Sequence, residues 1–300
     1  MTGDLRESDF ATWVHARLSQ VEQALSEWVS ADAPAGLGAA MRYAVLDGGK
    51  RLRPLLVWAA ADAVDGNPAA ALRAACAVEL IHAYSLVHDD LPCMDNDVLR
   101  RGKPTVHVAH GEAQALLAGD ALQALAFELL TPSDNSVDAL TQVRLCRLLA
   151  VAAGRQGMAG GQAIDLASVG QVLTQDQLQH MHQLKTGALL QASVLMGAAC
   201  GACNVQAQAA LADFGAAIGL AFQVVDDILD TTEDAATLGK TAGKDAAANK
   251  PTYVSLMGIE AARAHADALL EQALQALVRS ELAGVWALRE LAHMVVNRNR

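Results

Sequence analysis

Residues 88–107 read HDDLPCMDNDVLRRGKPTVH. Four acids, Asp89, Asp90, Asp95 and Asp97, stand directly before three bases, Arg100, Arg101 and Lys103. A solvated helix face intersperses its charges; this stretch sorts them by sign. A second acid cluster, FQVVDDILD, spans residues 222–230. Asp226 and Asp230 are four apart, which on a helix sets both carboxylates on one face with Asp227 beside them. Like charges at that spacing repel, and the run before them is apolar, so these acids need partners or a cation. The competing reading is a helix end fraying into solvent through DTTED.

The first cluster weighs against fraying, because Asp89 and Asp90 also end an apolar run, CAVELIHAYSLVH. At about 100° per residue, six steps carry Asp95 off the face of Asp89. Pro92 lies between them, disfavours helix at Leu91 and breaks the hydrogen-bond ladder, so the chain can turn Asp95 back toward Asp89. Two carboxylate clusters, each closing a buried helix, suit a hard divalent cation, and magnesium best, with water and phosphate oxygens completing its shell. The bases fit the phosphate. Arginine forks match phosphate oxygens two at a time, and Arg100 and Arg101 follow the first cluster closely. GGKRLRP (48–54) puts Lys50 and Arg53 three apart at an expected helix start, after a glycine pair that lets backbone approach a ligand. LKTG supplies Lys185 and Thr186, and GKTAGKDAAANK supplies Lys240, Lys244 and Lys250.

The elements that hold these groups read as helices. Of 300 residues, 53% are apolar, 4% are aromatic and only seven are proline. Helical patterns run over about 9–26, 36–46, 52–64, 69–91, 111–130, 137–157, 175–199, 206–230 and 260–295. No break between them is long enough for a linker, so the expectation is one all-α domain over 1–300. The uncharged window from Thr186 to Ala212 is long enough to span a membrane. Its glutamine, serine and glycines favour the buried centre of a bundle instead. A net charge of −11 argues against nucleic acid, yet bases gather in the motifs, the pattern expected for binding a small polyanion. The five cysteines include one CxxC, Cys200 and Cys203, without a second pair; together with the acidic start MTGDLRESDF they suggest a reducing, cytoplasmic setting. His180 and His182 read as surface residues, and no Ser-His-Asp arrangement is found.

With these motifs in order, joined by GGQAIDL (160–166) and KTG (185–187), the chain resembles the short-chain trans-prenyl diphosphate synthases, and within them the bacterial farnesyl diphosphate synthases. The resemblance runs from GGKRLRP to the terminal NRNR. It implies an isoprenoid-synthase helical bundle around a deep central cavity, a homodimer, no stable membrane insertion, and condensation of isopentenyl diphosphate with an allylic diphosphate. It implies three magnesium ions per active site. Asp89, Asp95 and Asp226 would be ligands, with Asp90, Asp227 and Asp230 near them, and Asp89, Asp90, Asp95, Asp226 and Lys185 would carry the catalysis. Arg100, Lys185, Thr186, Gln223, Lys240 and Lys250 would hold the allylic diphosphate. Gly49, Lys50, Arg53, His82 and Arg101 would hold isopentenyl diphosphate. Tyr84 and Ser85, one turn before the first cluster, would set product length, an aromatic there resembling a floor at fifteen carbons. LPCMDND is also shared with plant geranylgeranyl synthases, which keeps a twenty-carbon product open beside a ten-carbon one. A terpene cyclase shares the magnesium logic but has no use for a second diphosphate site, which Lys50, Arg53 and Arg101 supply here. A non-catalytic regulatory subunit would have lost aspartates that this chain keeps.

Overall fold

The computed structural model describes residues 2–46, 48–171, 173–232 and 252–298. Lys240, Lys244 and Lys250 lie outside them, as do the last two residues of NRNR. Among the described residues the fold is helical apart from one pair of two-residue strands.

The helices are α1 (Thr2–Trp28), α2 (Leu37–Val45), α3 (Leu52–Ala63), α4 (Pro68–Asp89), α5 (Val106–His110), α6 (Glu112–Leu130), α7 (Ala139–Ala153), α8 (Met158–Ala167) and α9 (Gln175–His182). They continue as α10 (Ala188–Ala199), α11 (Val205–Thr232), α12 (Tyr253–Met257), α13 (Ile259–Arg279) and α14 (Trp286–Val296). Their ends follow local chemistry. The Asn67 side chain caps α4 by accepting from Ala69 N (2.8 Å) and Ala70 N (3.2 Å), with Pro68 at the first helical position. Asp138 caps α7, and Thr174 with Gln177 forms a capping box on α9.

One hydrophobic cluster gathers around α4 from α1, α2, α6 and α7, and the other forms from α3, α11, α13 and α14; α10 contributes to both. That explains why α10 carries no charge: it has no solvent face to spend one on. The uncharged window is therefore not one long helix. It breaks after twelve helical residues at Ala199, where Cys200 is a buried thiol closing the helix. By length and composition alone, α4, α6 and α11 are long and apolar enough to cross a membrane. The apolar stretches of α4 and α11 are mostly buried inside the fold, whereas that of α6 is 39% buried.

Four expectations change. The stretch 175–199 is not one helix but α9, a π turn over Gln183–Gly187, and α10. The stretch 260–295 divides into α13 and α14, with Glu281 at φ 57° and Gly284 fitted against Ala63 in the connection. Short helices α5, α8 and α12 fall outside the expected patterns. His182 is buried, not on the surface, and stacks edge-on against the ring of Tyr253 at 5.5 Å.

Candidate active site

The first acid cluster is built by the end of α4. The helix stops at Asp89, the chain turns through Pro92, and the backbone N–H of Asp95 donates to the carbonyl of Asp89 at 2.8 Å. The bend expected from Pro92 is present, and it brings Asp95 back beside Asp89. Burial pushes the Asp89 carboxyl up to about 6; Lys185 and Arg100 pull it down, while Asp95 and Asp90 push it further up.

Asp90 and Arg100, both expected to face ligand, meet each other. Asp90 is 2% exposed, and Arg100 grips it with a fork: Nε donates to both carboxylate oxygens (3.1 and 2.9 Å) and Nη2 to Oδ1 (2.6 Å). The two groups thus hold each other in a forked ion pair. The fork is aimed by a two-stranded hairpin, Leu99–Arg100 paired with Lys103–Pro104. Arg101 and Gly102 form its turn with φ of 53° and 77°, the pattern of a tight hairpin turn that follows strand twist. That turn sends Arg101 across to the glycine pair, where its Nη1 donates to the carbonyl of Gly48 at 2.6 Å. Gly49 has a steric reason to lack a side chain: a Cβ there would lie 2.8 Å from the Arg101 guanidinium.

Lys50 is exposed and precedes α3 rather than standing on it, so it does not share a helical face with Arg53. Between them Arg51 takes φ 45° and turns inward. Arg51 donates to Glu79 (2.7 Å), Glu22 (2.6 Å) and the carbonyl of Val45 (2.6 Å), an ion-pair group that sequence reading missed. Arg53 lies deep; burial lowers its pKa, Glu79 and Asp226 counter that, and Arg101 adds to it. Its Nε has no hydrogen-bond partner. His82, on α4, is driven well below the usual histidine pKa by burial and then by Arg53, Arg101, Arg100 and Arg51. His82, Arg53 and Arg101 are thus brought together as expected, around a neutral imidazole.

The π turn carries Lys185 and Thr186. A π turn re-aims side chains out of α register and is frequent at functional sites. Close backbone approach makes it possible: a Cβ on Gly161 of α8 would collide with the Lys185 backbone, and one on Gly219 of α11 would lie 2.8 Å from Gly187. Lys185 Nζ pairs with Asp165 at 2.6 Å, and Thr186 Oγ1 donates to Gln223 Oε1 at 3.3 Å. Asp165 and Gln162 come from GGQAIDL, a motif whose individual residues had no assigned role. Both side-chain polar atoms of Gln162 are buried without a partner.

At the end of α11, Asp226 is half-buried and Asp230 exposed on the same face, while Asp227 is buried. Arg298 donates to Asp226 Oδ1 at 3.1 Å and lies over the Phe222 ring at 4.0 Å. The first arginine of NRNR thus rests on the second acid cluster. Ser85 donates to the His82 carbonyl at 2.8 Å, and Tyr84 is 9% exposed, its ring 5.7 Å from His88.

Among the described residues, no three His, Cys, Asp or Glu side chains form a preassembled metal cage. The donor chemistry still fits magnesium, which is commonly held by one or two carboxylates while substrate phosphates and water supply the rest. The orphaned Arg53 Nε and Gln162 amide are the kind of buried polar atoms a phosphate-bearing ligand would satisfy.

The polyprenyl synthetase family model matches residues 34–285. The chain belongs to that family. A protein named probable farnesyl diphosphate synthase from Sinorhizobium fredii is 52% identical over 88% of this chain and 81% of its own length. The chloroplastic heterodimeric geranylgeranyl pyrophosphate synthase large subunit 1 of Arabidopsis thaliana is 45% identical over 97% of this chain and 80% of its own. The crystal structure of a geranyltransferase from Helicobacter pylori complexed with magnesium and isoprenyl diphosphate superposes with a TM-score of 0.83. It is 34% identical and covers 96% of this chain and 97% of that one. The chain is therefore a prenyltransferase of the trans-prenyl synthase class, a family that uses isoprenyl diphosphates.

Proposed function

We propose that this prenyltransferase is a magnesium-dependent farnesyl diphosphate synthase, joining isopentenyl diphosphate to dimethylallyl and then geranyl diphosphate. The observation that carries the reading is the presence of two separate cationic groups around the acids. Lys185 acts on Asp89, whereas Arg53 and Arg101 gather with Arg51 around His82. One diphosphate needs one such group; a condensation of two needs both.

In this reading Asp89, Asp95 and Asp226 hold magnesium, with Asp230 beside them, and the ion neutralises charge on the departing diphosphate. Lys185, Gln223 and Thr186, with Lys240 and Lys250, orient the allylic substrate. Arg53, Arg101 and Lys50 hold isopentenyl diphosphate so that its double bond faces the allylic carbon. The bond between that carbon and the diphosphate oxygen breaks, a carbon–carbon bond forms, and a proton leaves to the departed diphosphate. The apolar helix walls keep water away from the cation.

The fifteen-carbon product rests on Tyr84, a buried ring on α4 held edge-on against His88. The protein should be incubated with magnesium, labelled isopentenyl diphosphate and either primer, and the product alcohols separated. Fifteen carbons are expected; replacing Tyr84 by alanine shifts the main product to twenty. A twenty-carbon product from the unaltered chain would remove Tyr84 as the floor, and no incorporation at all would remove the catalytic reading. The geranylgeranyl relative, 45% identical, makes twenty carbons the second reading.

A homodimer belongs to the same proposal. Leu116 and Leu117 of α6 and Leu140, Val143 and Val151 of α7 are all exposed, apolar side chains on two helices that touch each other. A second copy of this face would cover them, and light scattering at a single chain mass would sink the dimer. Five free thiols suit a cytoplasmic enzyme.

A further inference from the structure

Arg298 stands two residues past α14, yet its side chain is only 9% exposed. Its Nη1 donates to Asp226 Oδ1 at 3.1 Å, its Nε donates to the Val295 carbonyl at 3.1 Å, and its guanidinium lies 4.0 Å over the Phe222 ring. Phe222 and Asp226 are four apart on α11, so one face of that helix offers both the ring and the carboxylate. The Val295 carbonyl belongs to the last turn of α14, where acceptors lack helical donors and a cation is favoured. The arginine therefore ties the end of α14 to α11, with its charge set against the first carboxylate of the second acid cluster. Burial opposes that charge, and Asp226 counters it through its own charge and its hydrogen bond.

Asp226 thus already has a cationic partner supplied by the chain itself. Arg53 adds to this, since Asp226 supports its charge as well. Magnesium takes a near-octahedral shell of oxygen atoms and needs an oxygen of this carboxylate to bind there. A guanidinium carries donors only and cannot enter that shell. If both held the same carboxylate, a double and a single positive charge would stand a few ångströms apart and repel. The ring contact and the helix-end carbonyl do not involve Asp226, so they alone would hold the arginine once the carboxylate was taken.

We propose that Arg298 is a stand-in cation for Asp226: it latches α14 onto α11, and magnesium takes that carboxylate only by displacing it, which frees the residues after α14. This deepens the function proposed above and rests on its reading of Asp226 as a magnesium ligand. The latch has two effects. It neutralises a carboxylate that shares its helix end with Asp227 and Asp230, and it sets a concentration that magnesium must exceed before the second cluster loads. The coupling is reciprocal. The factor by which Arg298 weakens magnesium at Asp226 is the factor by which magnesium loosens Arg298.

Arg298→Gln removes the charge and keeps a polar side chain. Two measurements on the full chain test the idea, both with magnesium chloride as the probe and ionic strength held constant, because salt screens ion pairs. Calorimetric titration gives the magnesium affinity. Hydrogen exchange of the segment from Met294 to Arg298 reads the latch, since the Asn297 N–H that closes α14 on the His293 carbonyl frays when the arginine lets go. In the unaltered chain, exchange of this segment should rise about fivefold as magnesium saturates. In Arg298→Gln it should be fast without metal and indifferent to it, and the half-saturating magnesium concentration should fall about fivefold. Asp226→Asn should also release the segment without metal, and adding Arg298→Gln to it should leave the magnesium titration where Asp226→Asn put it. An equal or higher half-saturating concentration in Arg298→Gln would overturn the proposal. So would exchange that slows or stays constant when magnesium is added to the unaltered chain. Failure of the parent reading looks different: Asp226→Asn would then release the metal-free segment but leave the magnesium titration of the unaltered chain unmoved.

Discussion

Asp89→Asn is expected to abolish elongation, lowering kcat by about 10³-fold or more, while raising the melting temperature of the metal-free protein. The two effects have one cause. Burial leads the forces that hold the Asp89 carboxyl at about 6, against 3.8 for the free side chain. Its ionised form is therefore less stable in the folded chain than in the unfolded one. The linkage sign follows: the penalty is fully present above pH 6, shrinks as pH falls, and is gone below 3.8. A shift of that size, discounted for the solvent that reaches a half-buried group, is worth about 2 kcal/mol. Asparagine keeps the shape and removes the penalty. Activity moves the other way, because a magnesium ligand offsets several kcal/mol of charge on a leaving diphosphate, and each 1.36 kcal/mol is tenfold. Melting in EDTA at pH 7 and pH 4, beside steady-state rates in magnesium, checks both halves. The stability gain should shrink to a small remainder at pH 4. A variant that retains near-normal turnover would show that Asp89 holds no essential metal; one that melts lower at pH 7 would show that the carboxylate is stabilising.

What could be read from the sequence was what depends on neighbours a few residues away. The bend at Pro92 is a local steric rule, and the structure obeys it: Asp95 returns to Asp89 through a backbone hydrogen bond. His82, two turns before Asp89, meets Arg53 and Arg101 because helical periodicity fixes its face. The misses need partners far along the chain. Arg51 sits between Lys50 and Arg53 in a run of like residues, and nothing local marks it as the buried one. Its fate is decided by a left-handed backbone and by Glu79, 28 residues on. Arg298 reaches Asp226 across 72 residues. The π turn at Lys185 hides in a pattern that counts as helix from end to end, because the insertion is compensated by glycines on two other helices. The break between α13 and α14 was lost for a similar reason: ELAGV reads as ordinary helix, and only the fit of Gly284 against Ala63 shows the turn.

Glu79→Gln is expected to cost about 3–5 kcal/mol of folding stability, far more than an exposed ion pair would. Glu79 and Arg51 have side chains 4% and 3% exposed and meet at 2.7 Å. Burial opposes the Arg51 charge, and Glu79, followed by Glu22, overcomes it. Glutamine can still accept one hydrogen bond, but it leaves the guanidinium with Glu22, which is 39% exposed and screened, and with the neutral carbonyl of Val45. The same change strips an anion from Arg53 and Arg101, whose charges Glu79 also supports. A second consequence follows from that shared role. The variant becomes a cluster of cations short of one negative charge, and an added anion should compensate. Inorganic diphosphate at about a hundred times its Kd stabilises a protein by about 2.7 kcal/mol through mass action alone. In the variant it should bind more tightly, so the increment at equal concentration should exceed that of the unaltered chain. Urea unfolding of both proteins, with and without diphosphate, measures the pair of effects. A loss under 1 kcal/mol would mean that Glu22 alone neutralises Arg51. Equal increments would mean that Arg53 and Arg101 do not take the diphosphate, which would detach the buried ion pair from the substrate site it underlies.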